Sequence, residues 1–193
     1  MNKLARCAWP GNDEQMLRYH DTEWGVPCHD DKKLFEYVVL DTFQAGLSWQ
    51  IVLHKRAGFR KAFAKFNPKL IAKFKASDVT RLMKDTGIIR NRLKIKATIS
   101  NASAYLAIQK DFGTFANYLW QFVGGKPIVN KWKNQSHLRS HSKESDTMSK
   151  DLKKRGFKFV GTTICYAFMQ GAGLVGDHLV TCFRHREVMR LFR

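Results

Sequence analysis

The chain has 193 residues, enough to bury a sizeable hydrophobic core in one domain or in two small lobes. Its 44% hydrophobic content excludes a disordered chain, and 34 basic residues against 16 acidic ones give a formal net charge of +18. This excess favours a polyanionic partner. Nucleic acid is preferred to a membrane surface, because no basic amphipathic helix stands apart from the predicted core.

The positive charge is distributed unevenly along the chain. Residues 1–41 hold 5 basic and 8 acidic residues, whereas residues 42–193 hold 29 basic and 8 acidic residues. The chain begins without an apolar signal segment, and no apolar run reaches transmembrane length. We therefore expect a cytoplasmic protein without membrane contact, whose four cysteines are thiols or metal ligands.

Apolar residues recur at helical spacing and strict alternation is nearly absent, so an all-α fold is predicted. The predicted helices, in chain order, are 31–45, 47–53, 58–66, 77–85, a long helix from residue 91, 114–123, 146–155 and 162–171. Ser77 is the expected N-cap of the fourth helix, and Asn67-Pro68 ends the third. The polar residues 130–145 are predicted to form a loop or a mobile crossing.

The short and long helices around Gly87 are predicted to form a helical hairpin. Gly87 fits a left-handed C-cap, and the turn leads into the basic helix start at Arg90, Asn91 and Arg92. The backbone N–H groups of such a helix start, with the helix dipole and Arg90, can hold a DNA phosphate without reading sequence. An ordinary helical hairpin with a surface arginine is the alternative.

Two cysteines and two histidines near the chain ends form a candidate metal site. Cys7 and His20 lie near the start, whereas His178 and Cys182 are four residues apart and share a face if 177–183 form a helical turn. This ligand set suits a closed, structural Zn²⁺ site, and unrelated thiols with ordinary histidines are the alternative. The signature of a zinc deaminase is absent, and Cys165 is expected in the core.

Asp41 falls on the apolar stripe of the first predicted helix, where a carboxylate is either solvated at the helix edge or placed in a cleft. Several aromatic residues are candidates to surround it, namely Trp9, Tyr19, Phe43 and Trp49. Such rings stack on a flat cationic base, while the carboxylate accepts a hydrogen bond from the edge of the base. The alternative is that the rings are core and Asp41 is solvated.

Long segments of the chain resemble the 3-methyladenine DNA glycosylase I family. The resemblance runs from Cys7 to about Cys182 and is carried by residues 19–27 (YHDTEWGVP), 44–49 (QAGLSW), 87–92 (GIIRNR), 152–166 (LKKRGFKFVGTTICY) and 173–178 (GLVGDH). It implies a helix-hairpin-helix glycosylase fold in a single unit of two helical lobes. One lobe would span about 32–125, and the other would combine 1–31 with 146–193.

The resemblance also implies the residue roles. It implies a structural zinc on Cys7, His20, His178 and Cys182, which joins the two ends of the chain. It places Trp9, Tyr19 and Trp49 at the base pocket and sets the hairpin against the DNA backbone through Gly87, Ile89, Arg90, Arg92 and Lys94. The position of the pocket glutamate of the family is Asp41 in this chain, and Phe43 stands where a glutamine is expected.

These observations predict a monofunctional DNA N-glycosylase, expected to be a monomer, that acts on double-stranded DNA with alkylated bases and releases free 3-methyladenine. No lysine stands out as a Schiff-base nucleophile, so a lyase step is not expected. Two alternatives stay open. One is a non-catalytic or altered-specificity damage-binding paralogue, because Asp41 is one methylene shorter than glutamate. The other is a zinc-dependent hydrolase, which would lose its activity to a chelator while its fold survives.

Overall fold

The computed structural model of the chain describes residues 4–192. Within these residues the regular secondary structure is helical except for one short pair of strands, which confirms the all-α prediction. The α-helices, in chain order, are α1 Glu14–Thr22, α2 Asp31–Gln44, α3 Trp49–His54, α4 Arg56–Ala62, α5 Pro68–Ile71, α6 Ala76–Lys84, α7 Arg92–Phe112, α8 Phe115–Trp120, α9 Lys143–Lys154, α10 Thr162–Gly171 and α11 Phe183–Met189. None of the described helices is both long and apolar enough to cross a membrane.

Helix α2 is the centre of the packing, since it contacts α3, α7, α8 and α10. The carboxylate of Asp30 begins the helix by accepting a hydrogen bond from the backbone N–H of Lys33 at 2.6 Å. Every residue from Leu34 to Phe43 is buried, so α2 is surrounded by other elements on all sides. A side chain on α2 is therefore held in a fixed position, and this includes Asp41.

A short parallel pair of strands ties the middle of the chain to its C-terminal part. Ile128–Val129 (β1) pairs with Val175–Gly176 (β2) in the register Ile128 to Val175. The pair places the segment after α8 beside the segment that leads to His178. Residues 130–142 follow β1 and contain only a 3₁₀ turn at Gln135–His137, in agreement with the predicted loop.

Several element boundaries differ from the predictions. Helix α1 was not predicted, although Asp13 caps it by accepting from the backbone N–H of Met16. Helix α6 begins two residues earlier than expected, because the carboxylate of Asp78 accepts a hydrogen bond from the backbone N–H of Lys75 at 2.9 Å and Ser77 is not the N-cap. Helix α9 likewise begins at Lys143, where Ser142 and Ser145 cap each other. Side-chain caps decide where these helices begin. Because neighbouring residues in the sequence can also serve as caps, the boundaries predicted from the sequence differ by a few residues.

Gly87 does not have the predicted left-handed conformation, since it is not among the glycines with positive φ. The hairpin turn at Gly87 is instead in close contact with a second glycine, Gly58. A Cβ atom on Gly58 of α4 would lie 2.1 Å from the carbonyl oxygen of Gly87. The backbone N–H of Gly87 donates to the carboxylate of Asp85 at 2.8 Å, and this bond fixes the turn between α6 and α7. Helix α4 therefore packs directly on the backbone of the hairpin.

Candidate active site and candidate metal centre

A cavity of about 280 Å³ opens between α1, α2, α3 and α10. Its lining combines aromatic rings with a few polar side chains: Trp9, Tyr19, Trp24, Asp41, Gln44, Trp49, Leu138, Arg139, Ala167 and Gln170. A concave, mostly aromatic site with few polar groups is the usual form of a small-molecule pocket. The structure thus brings all four residues of the predicted base pocket, Asp41 among them, to the wall of one cavity.

Asp41 is only 6% exposed, and its carboxyl forms no hydrogen bond with another residue in 4–192. Burial raises the pKa of this carboxyl well above its usual range. A buried acid without a partner costs stability, so its presence at a cavity wall points to a ligand that supplies the missing partner. The structure therefore agrees with the cleft interpretation of Asp41 and not with the solvated one.

The aromatic side chains that line the cavity also contact one another. The rings of Tyr19 and Trp49 lie 5.2 Å apart at 46°, and those of Trp9 and Tyr19 lie 6.3 Å apart at 69°. The indole N–H groups of Trp9 and Trp49 are buried and donate to no described residue. Burial also raises the pKa of Tyr19, so its side chain stays a neutral phenol at any working pH.

The four predicted metal ligands converge, although they come from opposite ends of the chain. Cys7, His20, His178 and Cys182 are all buried, and their ligand atoms lie within 4.8 Å of one another. Cys182 Sγ lies 3.5 Å from His20 Nε2 and 3.7 Å from His178 Nδ1. The edges of a tetrahedron with ordinary zinc–ligand bond lengths are about 3.3 to 3.8 Å long, so these separations suit a tetrahedral ion.

The helical turn predicted for residues 177–183 does not form. His178 and Cys182 lie instead on an irregular loop before α11, closed by a hydrogen bond from Cys182 N to the carbonyl of Leu179. The backbone N–H of Leu179 in this loop donates to Cys7 Sγ at 3.4 Å. The side chains converge through tertiary packing and not through helical spacing.

The other nitrogen of each histidine already has a hydrogen-bond acceptor. His178 Nε2 lies 3.0 Å from the carbonyl oxygen of Trp24, so this nitrogen carries the hydrogen and Nδ1 is free to bind a metal. His20 Nδ1 lies 2.8 Å from the carboxylate of Asp21, which leaves His20 Nε2 free in the same way. Such partners orient ligand histidines in metal sites.

The hairpin residues are placed less uniformly than predicted. Arg90 and Arg92 are exposed, Gly87 and Ile89 are half-buried, and the side chain of Asn91 caps α7. Lys94 is only 5% exposed, and its ammonium donates to the carbonyls of Phe43, at 2.8 Å, and of Ala45. The ammonium of Lys94 points into the protein and donates its hydrogen bonds to the C-terminal end of α2. This position does not suit the phosphate contact that was predicted for Lys94.

Sequence reasoning missed several residues of the site. Trp24 lines the cavity, and its ring lies 4.6 Å from that of His178. Asp177 is almost fully buried and accepts four side-chain hydrogen bonds, from Asn130, Trp132, Tyr166 and Gln170. Gln170 and Arg139 reach the cavity from α10 and from the 130–142 loop. Of these residues, only Trp24 and Asp177 could have been suspected from the sequence, because both lie inside the segments that resemble the family.

The sequence is similar to known proteins over almost its whole length. The family model described as methyladenine glycosylase matches residues 9–185. The chain is 50% identical over 179 residues to the Escherichia coli (strain K12) protein DNA-3-methyladenine glycosylase 1, a match that covers 93% of this chain and 96% of the relative. A DNA-3-methyladenine glycosylase of Haemophilus influenzae is 49% identical over 178 residues, which cover 92% of this chain and 96% of that protein.

Solved structures agree with the sequence similarity. A crystal structure of 3-methyladenine DNA glycosylase I superposes with a TM-score of 0.91 at 50% identity, covering 93% of this chain and 98% of the other. The Staphylococcus aureus 3-methyladenine DNA glycosylase I, whose structure addresses recognition of 3-methyladenine, superposes with a TM-score of 0.90 at 37% identity. That match covers 92% of this chain and 95% of the other.

Proposed function

The chain belongs to the methyladenine glycosylase family, and from that premise we propose that it excises 3-methyladenine from alkylated DNA. It is a hydrolase of N-glycosyl bonds that acts in DNA repair. The observation that carries this function is the position of Asp41, a buried carboxyl without a partner that lies at the wall of an aromatic cavity. A cationic base complements this cavity. Its positive charge pairs with the carboxylate of Asp41, and its flat ring stacks on the aromatic side chains.

The damaged nucleotide must leave the duplex before its base can enter the cavity. Tyr19 and Trp49 then stack on the base, and Trp9, whose ring lies beside that of Tyr19, also contacts it. Asp41 accepts a hydrogen bond from the exocyclic amino group of the base, and the unused indole N–H groups are available to its ring nitrogens. A neutral adenine lacks the charge that favours the ionised form of Asp41, so the cavity selects for the alkylated base.

The chemical step follows from the charge of the base. Methylation at N3 makes the base a good leaving group, because the bonding electron pair of the C1′–N9 bond neutralises its positive charge. Water then forms a bond to C1′ and loses its proton to solvent, so the products are 3-methyladenine and an abasic deoxyribose. The protein contributes by holding the cationic base and excluding bulk water. A lyase step is not part of the proposed activity.

We assign a single Zn²⁺ to Cys7, His20, His178 and Cys182. Two thiolates, two imidazoles and a complete set of four ligands are typical of a structural zinc, which leaves no position for a reactive water. When bound, the ion supplies only a cross-link between the segment before α1 and the segment before α11. Residues 5 and 183 are already joined there by a backbone hydrogen bond of 2.9 Å.

The DNA backbone is proposed to lie against the hairpin between α6 and α7. Ile89, Arg90 and Arg92 offer backbone N–H groups and two exposed guanidinium groups at the start of a long helix. Gly87 contributes to the turn that leads into this helix, because its own N–H already donates to Asp85. The basic residues of 42–193 add a longer-range attraction that does not depend on sequence.

The proposed activity is tested by incubating the wild-type protein with methylated double-stranded DNA and separating the released bases by chromatography. The expected product is 3-methyladenine, without release of adenine, and strand breaks are expected only after alkali treatment of the abasic sites. Binding of methylated DNA without any released base would instead identify a damage-binding protein.

A further inference from the structure

The loop of residues 130–142, here called the strap, is fixed to the core at one buried carboxylate. Asp177 accepts hydrogen bonds from Asn130 Nδ2 at 2.7 Å and from Trp132 Nε1 at 2.8 Å. Its second oxygen accepts from the Tyr166 hydroxyl at 2.8 Å and from Gln170 Nε2 at 2.7 Å, both on α10. The strap therefore has irregular backbone but a defined position beside the helix that lines the cavity.

This anchoring gives one strap arginine a defined place. The guanidinium carbon of Arg139 lies 5.5 Å from the centre of the Trp132 ring, whose N–H is held by Asp177. Arg139 is exposed, it lines the cavity, and its guanidinium has no hydrogen bond or ion pair with any residue in 4–192. Stacking on an immobilised ring orients the guanidinium plane and leaves its N–H donors free for a ligand.

The cavity has an electrical polarity because of these two residues. A carboxyl, Asp41, lies buried in its wall, and a cation, Arg139, lies at its exposed edge. An extruded nucleotide with an alkylated base has the complementary polarity, since its base is cationic and its phosphodiester anionic. A guanidinium directed at the base would repel it, whereas one directed at the phosphodiester gains a paired, charge-assisted contact.

A second depression gives the DNA strand a path away from the cavity. It shares Leu138 and Arg139 with the cavity and continues along the strap to the start of α9, lined further by Ser140, His141, Ser142, Lys143 and Asp146. Arg139 lies at the junction of the two depressions. A strand whose base occupies the first depression therefore passes this guanidinium.

We propose that Arg139 is a positioning residue that binds a phosphodiester next to the extruded nucleotide, and that the Asp177–Trp132 contact holds it in place. This inference rests on the proposed glycosylase function and adds a phosphate-binding subsite to it. The hairpin holds the duplex, whereas the Arg139 subsite holds the nucleotide whose base has entered the cavity. Recognition of the lesion thus uses both charges of the nucleotide.

The test compares Arg139→Gln and Arg139→Lys with Lys110→Gln, which removes one exposed charge at the far end of α7. The probes are a duplex with a stable abasic analogue, titrated at several salt concentrations, and free 3-methyladenine. Arg139→Gln is expected to weaken duplex binding about 10-fold and to reduce the slope of log K against log salt by about 0.9, with unchanged binding of the free base. Arg139→Lys should keep the salt slope but lose part of the affinity, because an ammonium cannot bind two phosphate oxygens in parallel.

Two outcomes would overturn the subsite. One is that Arg139→Gln binds the duplex like Lys110→Gln, and the other is that it loses the free base as well, which would make Arg139 a base contact. Trp132→Phe keeps a ring but loses the bond to Asp177, and it should show a smaller loss of duplex binding than Arg139→Gln. Release of 3-methyladenine by the wild type is scored separately, so failure of the proposed function is distinguished from failure of the subsite.

Discussion

His178 donates a hydrogen bond from Nε2 to the carbonyl oxygen of Trp24 at 3.0 Å, and the ring of Trp24 lines the base cavity. The candidate metal centre and the candidate active site are therefore adjacent parts of one packed cluster, which also includes Tyr19 and Leu53. A metal ion bound by these ligands would act on the base pocket through the packing of Trp24 and not through chemistry.

Removal of the metal is predicted to loosen the fold and the cavity together. Without the ion, four buried ligand side chains lose their common partner, and the two chain ends lose their cross-link. We expect purified protein to contain about one zinc per chain, and chelation to lower Tm by at least about 10 °C. Metal analysis and thermal unfolding check this. Loss of activity with an unchanged Tm would indicate a catalytic metal instead.

Asp21 is predicted to tune metal affinity although it is not a ligand. Its carboxylate accepts from His20 Nδ1 at 2.8 Å and is itself held by the guanidinium of Arg6 at 2.8 Å. Asp21→Ala removes the acceptor that orients the imidazole and should weaken metal binding by about 10- to 100-fold. Competition with a metal indicator measures this. Glu14→Ala, an exposed change on the same helix, is the control, and an equal effect of both changes would refute the role of Asp21.

Lys94 is predicted to stabilise the end of α2 and not to bind DNA directly. Its buried ammonium donates to the carbonyls of Phe43, in the last turn of α2, and of Ala45, the C-cap residue of the same helix. Lys94→Met keeps the apolar stem but leaves those carbonyls without a donor, so it should cost about 2 kcal/mol in unfolding free energy. The salt dependence of duplex binding should stay unchanged, whereas Arg90→Gln should reduce it. A smaller salt dependence of duplex binding in Lys94→Met, with unchanged stability, would instead support the DNA-phosphate contact predicted from the sequence.

Asp41 is predicted to lower stability at neutral pH. Since burial raises its folded pKa above the unfolded value, both states are protonated below the unfolded pKa and Asp41 then costs nothing. As the pH rises through the folded pKa, the wild type loses stability that Asp41→Asn keeps. The Tm of Asp41→Asn should therefore exceed that of the wild type at pH 8, with a smaller difference at pH 4. A difference that does not grow with pH would contradict the buried position of the carboxyl.

Helical periodicity was sufficient for the fold class and for the central helix. Asp41 could be recognised in the sequence because it lies on the apolar stripe of the first predicted helix, and the structure shows that this stripe is buried. The metal ligands could be named from residue type and family resemblance. Their local geometry could not be predicted, because residues 177–182 are shaped by packing against Cys7 and Trp24 and not by their own periodicity.

The remaining residues of the site depend on contacts between distant parts of the chain. Nothing in its local sequence shows that Lys94 points inward, since the carbonyls that bind it lie about fifty positions earlier. Arg139 likewise lies in a polar, irregular segment, and only the buried carboxylate of Asp177 fixes its surroundings. Such positions are determined by tertiary structure, so they could be found only after the fold was known.

The role of Asp41 is tested most directly by the single-turnover rate of 3-methyladenine release from methylated DNA. The comparison is between wild type, Asp41→Asn, Asp41→Glu and the exposed control Asp111→Asn. Asp41→Asn should be slower by about 10²-fold, because it removes the charge that holds the cationic base. Asp41→Glu should retain at least about a tenth of the wild-type rate, and the control should equal the wild type. Release by Asp41→Asn at the wild-type rate would contradict the function assigned to this carboxyl.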